Sequence, residues 1–166
     1  MSRDAGPASL PGGSAGDAAF FGFESDFVDS LRCIPMAVRL RLDVSGVKLK
    51  LNEWSKLGQA ERLRLVQAPF ASAESVRAYA EDLSALVEKV CGARPSMLAE
   101  LPDPVWENAG TVPAQVVAQA HAVGLDLPPA AWASLSPLQR FALTKLSRAG
   151  HENRNFVPAM QEFGLA

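Results

Sequence analysis

One pattern is written twice in this chain, and it constrains the fold more than any other feature. Laying Pro35 on Pro113, an offset of 78 positions, also lays Val38 on Val116, Gly46 on Gly124 and Leu49 on Leu127. The register continues without a gap through Trp54 on Trp132, Leu57 on Leu135, Arg62 on Arg140 and Leu65 on Leu143. Ordinary composition does not align this many residues, tryptophan included, so the pattern reads as two copies of one supersecondary unit. Two ungapped copies are expected to share a backbone, and each can then be used to read the other.

That comparison bears on the most ambiguous stretch. Val38 to Val44 and Val47 to Leu51, separated by Ser45-Gly46, alternate polar and apolar residues and by period alone form a hairpin with a two-residue turn. The matching stretch from Ala114 to Gly124 is Ala-rich, does not alternate, and reads as a helix opened by Pro113 and stopped by Gly124. The copy favours a helix from Pro35 to Ser45, with Val38/Leu42 and Leu40/Val44 as i,i+4 pairs; the hairpin remains the alternative. After each glycine a few extended residues follow, Val47 to Lys50 and Leu125 to Leu127, with the reach to pair as a very short β-ribbon between the repeats.

Each copy then closes a short helix on its tryptophan and leucine and opens another. Ser136, Pro137 and Gln139 form a capping-box start for a helix over 137–147 that buries Leu138, Phe141, Leu143 and Leu146 in some combination. The first copy has the weaker cap Gly58 before a helix over 59–68 that buries Leu63, Leu65 and Val66. Ser72 caps the longest helix, whose apolar face is Val76, Tyr79, Leu83, Leu86, Val87 and Val90 and which stops at Gly92 before Pro95. Pro95, Pro102 and Pro104 mark a connector with one short helical piece around Met97 to Leu101 and an anchoring Trp106. Pro158 suits the first turn of a last helix ending near Gly164.

Residues 1–18 are Gly, Ala, Ser, Pro and Asp with almost nothing to bury and read as a disordered tail. Phe20, Phe21 and Phe23 read as an aromatic anchor, and Ser25 to Ile34 as a short helix ended by Pro35. The expectation is an all-α fold: a single helical domain over 19–166 made of two pseudo-symmetric halves, about 35–92 and 113–164, packed on one core.

Composition excludes several function classes. The chain is 48% hydrophobic and 20% charged with a formal net charge of −2, which supplies no overall drive toward nucleic acid or an anionic bilayer. No apolar run approaches the length that spans a membrane, so a soluble, cytoplasmic protein is expected. Cys33 and Cys91 have no metal-ligand spacing and read as free thiols, Cys33 as a small buried residue. His121 and His151 are single, and in Asp43-x-Ser45-Gly46 the position of a calcium loop's first acid is held by Arg41, so no metal site is expected.

The shared positions read as structural. Trp54 and Trp132 belong to the core, and Arg62 and Arg140 suit bonds to carbonyls or a carboxylate of the preceding loop, such as Glu53. A catalytic arginine is not expected twice, and no catalytic residue or cofactor is assigned. Among unshared residues the notable set is Arg32, Arg39, Arg41, Lys48 and Lys50, opposed by Asp43 alone, a solvated face or a surface for an acidic partner or anion.

The strings Phe20-Phe21-Gly22-Phe23-Glu24, Asp26 through Met36 (D-F-V-D-S-L-R-C-I-P-M), Gly46-Val47-Lys48-Leu49-Lys50-Leu51 and Trp54 resemble the nitrate reductase associated protein family. The resemblance implies a place beside assimilatory nitrate reductase and molybdenum cofactor functions and implies no catalytic residue. A non-catalytic accessory that docks to nitrate reductase or to a molybdenum cofactor component is the expected function. The alternative is a binding module or enzyme for a small anionic metabolite or molybdopterin-type ligand at the interface between the halves.

Overall fold

The computed structural model describes residues 20–24 and 33–166, with only the backbone of His151 and Glu152. The protein is mostly helical, with one small two-stranded sheet. The chain divides into two compact units: one holds Phe20 and residues 33–101, the other residues 21–24 and 102–166. The tail and most of the segment 25–34, Arg32 included, lie outside the described residues.

In the first unit, helix α1 (Met36–Ser45) follows Pro35 and ends at Gly46, whose φ of 78° is left-handed and whose N–H bonds the Leu42 carbonyl. The stretch is helical, as the second copy indicated, and not a hairpin. Helix geometry buries Val38 and Leu42 one turn apart, whereas strict alternation would have turned both toward the same sheet face as Leu40 and Val44, which stay half-buried. Strand β1 (Val47–Lys48) follows, then helices α2 (Leu51–Lys56), α3 (Gln59–Gln67) and α4 (Ala73–Cys91). Ser72 caps α4 through its hydroxyl, which accepts the Ser75 N–H, and Gly92 closes it in the left-handed region. Both α1 and α2 pack on α4, whose inward side carries Tyr79, Leu83 and Val87.

Three expectations for this unit are corrected. The extended residues after Gly46 do not pair with 125–127; β1 pairs antiparallel with β2 (Ser96–Met97), Val47 opposite Met97. Since α1 lies against α4, the chain leaving α4 comes back beside the end of α1, and the nearest extended backbone is its own. The Leu98 N–H completes the junction by bonding the Gly46 carbonyl at 2.8 Å. The stretch from Met97 to Leu101 is therefore strand and bend rather than helix. Leu63 is exposed while Leu65 and Val66 are buried, because the apolar stripe of α3 is narrower than the run of leucines suggested.

In the second unit a 3-10 turn (Val105–Glu107) precedes helices α5 (Ala114–Ala122), α6 (Pro129–Ser134) and α7 (Pro137–Leu146). A second 3-10 turn (His151–Asn155) leads into α8 (Phe156–Glu162), with Pro158 in its first turn. Helix α7 forms the centre, packing on the 3-10 turns at 105–107 and 151–155 and on α5 and α8. All its residues except Pro137 and Gln139 are buried. The capping box is formed as expected: Ser136 Oγ accepts the Gln139 N–H and Gln139 Oε1 accepts the Ser136 N–H. The aromatic anchor closes this unit. Phe21 and Phe23 stack at 5.2 Å and meet Phe163 edge-on, while the N–H groups of Gly22 and Phe23 donate to the Glu162 carboxylate.

The short helices α2 and α6, 51–56 and 129–134, stand 78 positions apart, as do the starts of α3 and α7 at Gln59 and Pro137. Trp54 and Trp132 are fully buried, and so are Val38 and Val116.

Candidate interaction surface

The cationic residues singled out in the sequence do not form one set. Arg41 points inward along α1: its Nη1 donates to the Ala37 carbonyl at 3.0 Å and its Nη2 to the Ala68 carbonyl at 3.2 Å. The guanidinium also lies over the rings of Phe70 and Tyr79, at 5.3 and 5.9 Å from their centroids. Burial pushes its pKa below the ordinary arginine value, partly opposed by Tyr79, and its Nε is buried without a hydrogen-bond partner. Arg41, half-buried, thus ties α1 to the end of α3. Helix α1 turns Arg41 toward Phe70 and Tyr79.

Arg39 is half-buried, with Nη1 3.9 Å from the Met36 sulfur. Lys48 and Lys50 are exposed. The Lys50 N–H is bound by Glu53 Oε2 at 2.8 Å, which anchors this short arm to the start of α2.

Beside these lysines the structure places residues that the sequence reading did not select. Leu51 is 54% exposed, Met97 58% and Leu101 63%, the three most exposed large apolar side chains among the described residues. Met97 and Leu101 converge over Gly46: a Cβ built there would lie 3.0 Å from Leu101 Cδ2 and 3.8 Å from Met97 Cε. Any side chain at Gly46 would therefore displace Leu101, apart from the strain at positive φ. Met97 shares the Val47 side of the ribbon, and Lys48 faces the other side with Ser96. The result is a short hydrogen-bonded arm with apolar side chains on one side and a lysine on the other. The signal in the sequence is the apolar Met97, Leu98 and Leu101 within the connector's expected helical piece.

Cys33 is exposed, contrary to the buried thiol expected, because it lies in the bend before Pro35 rather than on a packed helix face. Among the described residues no group of three or more His, Cys, Asp or Glu side chains could hold a metal ion. No helix among them is long and apolar enough to cross a membrane.

Fold and surface together define a small helical protein that presents a mixed apolar and cationic arm. The family model for conserved nitrate reductase-associated proteins matches residues 20–163, and the chain belongs to that family. No curated protein and no solved structure matches it significantly.

Proposed function

We propose that this is a cytoplasmic, non-catalytic accessory protein that acts by direct contact with nitrate reductase or with a component that supplies its molybdenum cofactor. Family membership gives the association with nitrate reductase. The observation that supports contact as the mode of action is the exposed Met97 and Leu101 converging over Gly46, on a short ribbon whose first strand also carries the exposed Lys48 and leads to Lys50 and Leu51. Exposed apolar side chains held on hydrogen-bonded backbone supply the energy of an interface, and flanking cations select an acidic partner and speed encounter.

Co-purification with nitrate reductase tests the reading, supported by titration calorimetry on the purified pair. Met97→Ser with Leu101→Ser should weaken the complex by about 2–4 kcal/mol, as for central anchors of an interface. Lys48→Glu with Lys50→Glu should slow association and flatten its salt dependence. Binding that survives both double variants unchanged rejects this surface. Reversal at Arg41 is not a useful probe, since it would disturb α1 and α3 before it reached any partner.

A further inference from the structure

The second unit contains a cleft that the docking reading does not use. It has a volume of about 450 Å³ and lies between the 3-10 turn at 105–107, the start of α5 and the end of α7. Ligand pockets commonly measure roughly 300–1,000 Å³, so it has room for one small molecule. Lys145 and Arg148 stand three residues apart at the end of α7 and both line it, which sets two cations on one wall. The Lys145 ammonium is held 5.2 Å from the Phe141 ring centre in a residue only 7% exposed. Arg148 is exposed. Gln115 braces the wall by donating from Nε2 to the Thr144 carbonyl at 2.9 Å and to Ser147 Oγ at 3.1 Å. Val105, Trp106 and Pro113 supply an apolar side, and Asp103 adds one acidic group.

Lys145 and Arg148 are not part of the repeated pattern. Stepping back 78 positions from Lys145, Arg148, Gln115 and Thr144 gives Gln67, Phe70, Ala37 and Val66, none of them charged. In the first unit Phe70 packs edge-on against Tyr79, and Arg41 lies over both rings. The helix dipole explains why cations are tolerated at the end of α7, but not why they line an open cleft.

We propose that this cleft binds a small organic anion, its acid group on Lys145 and Arg148 and its apolar body against Val105 and Trp106. The acidic group is a carboxylate or a phosphate, and Asp103 disfavours ligands of high negative charge. The proposal rests on the second unit alone, so its outcome and that of the docking test are separate.

The test is titration calorimetry of the full chain with benzoate, phenyl phosphate and inorganic phosphate, at constant ionic strength against chloride. Saturable one-to-one binding of benzoate or phenyl phosphate is expected, with the preference between them naming the acid group, and weaker binding of inorganic phosphate. Arg148→Ala should weaken it about tenfold, Arg148→Glu should abolish it, and Lys56→Ala, an exposed lysine of the first unit, should leave it unchanged. Lys145→Met should match the arginine variants if its thermal melt shows it folded; the exposed Arg148 keeps the test decisive if it does not. No saturable heat, insensitivity to Arg148→Glu, an equal loss in Lys56→Ala, or inorganic phosphate binding as tightly as phenyl phosphate would overturn the proposal.

Discussion

Helices α1 and α5 occupy matching places in the sequence and tie themselves to the following helices by different chemistry. In α1 one guanidinium does it: Arg41 reaches the Ala68 carbonyl just beyond α3 and lies against Phe70 and Tyr79. In α5 two neutral amides do it. Gln119, 78 positions after Arg41, donates to Asn153 Oδ1 at 2.7 Å, and Gln115 donates to Thr144 and Ser147 at the end of α7. The charged solution is compact but leaves a buried Nε without a partner and a desolvated cation. The neutral solution buries no charge in α5, and Lys145 and Arg148 line the neighbouring cleft. Matching positions in the sequence thus carry different chemistry in the two units.

The shared residues differ in duty as well. Arg62 Nε donates to the Leu57 carbonyl at 3.0 Å, and Arg140 Nη1 makes the corresponding bond to Leu135 at 2.5 Å. Arg140 goes further, its Nε reaching the Trp106 carbonyl at 2.6 Å, and Trp132 Nε1 donates to the Asn108 carbonyl at 2.9 Å. In the second unit the repeated residues therefore also hold the loop that forms one side of the cleft.

Four experiments would break or sharpen this comparison. The largest effects should come from Trp54→Ala and Trp132→Ala, each losing about 3–5 kcal/mol in urea denaturation. A loss under about 1 kcal/mol at either site would end the equivalence of the two positions. Next, Arg140→Met should cost about 2–5 kcal/mol, since it strips buried carbonyls of a charged donor, against about 1 kcal/mol for the half-buried Arg62→Met. Equal losses would mean that the bond to Trp106 contributes nothing.

The third is specific to the first unit. Burial raises the Tyr79 pKa well above the ordinary tyrosine value, despite the opposing charge of Arg41. A raised folded pKa means that stability is intact below the unfolded tyrosine pKa near 10 and falls as pH rises beyond it, by about 1.4 kcal/mol at one unit above. Tyr79→Phe should remove that alkaline slope while losing about 1 kcal/mol at neutral pH with the bond to the Leu65 carbonyl. An unchanged slope would place its origin elsewhere. The smallest effects concern the caps. Ser136→Ala should cost about 1 kcal/mol, and Gly58→Ser should gain a few tenths, because Gly58 has an ordinary φ of −69° and space for a Cβ. Destabilisation by Gly58→Ser would show that the two helix starts are not interchangeable.

Much of the helical pattern was legible because its signals are local. Ser72, Ser136 and Gln139 cap where their side chains meet the next backbone N–H groups, and Gly46 and Gly92 stop helices because they accept positive φ. The period of Val38 to Leu51 misled because arginine and leucine alternate over a helix just as they would over a strand. The second copy resolved it. The candidate surface was half legible: Lys48 and Lys50 stood out, whereas Leu51, Met97 and Leu101 look in sequence like ordinary core residues. Exposure of an apolar side chain depends on which backbone returns beside it, and no local pattern records that.

The amino-acid sequence by itself determined where the capped helices begin and stop, that Trp54 and Trp132 are buried, and that Arg62 and Arg140 bond the carbonyls before their helices. These follow from interactions between residues a few positions apart, reinforced by writing the pattern twice. Only the tertiary structure decided that Arg41 turns inward, that β1 pairs with β2, and that Lys145 and Arg148 face an open cleft. Each of those outcomes depends on contacts between residues 27 to about 50 positions apart, whose geometry is fixed by packing.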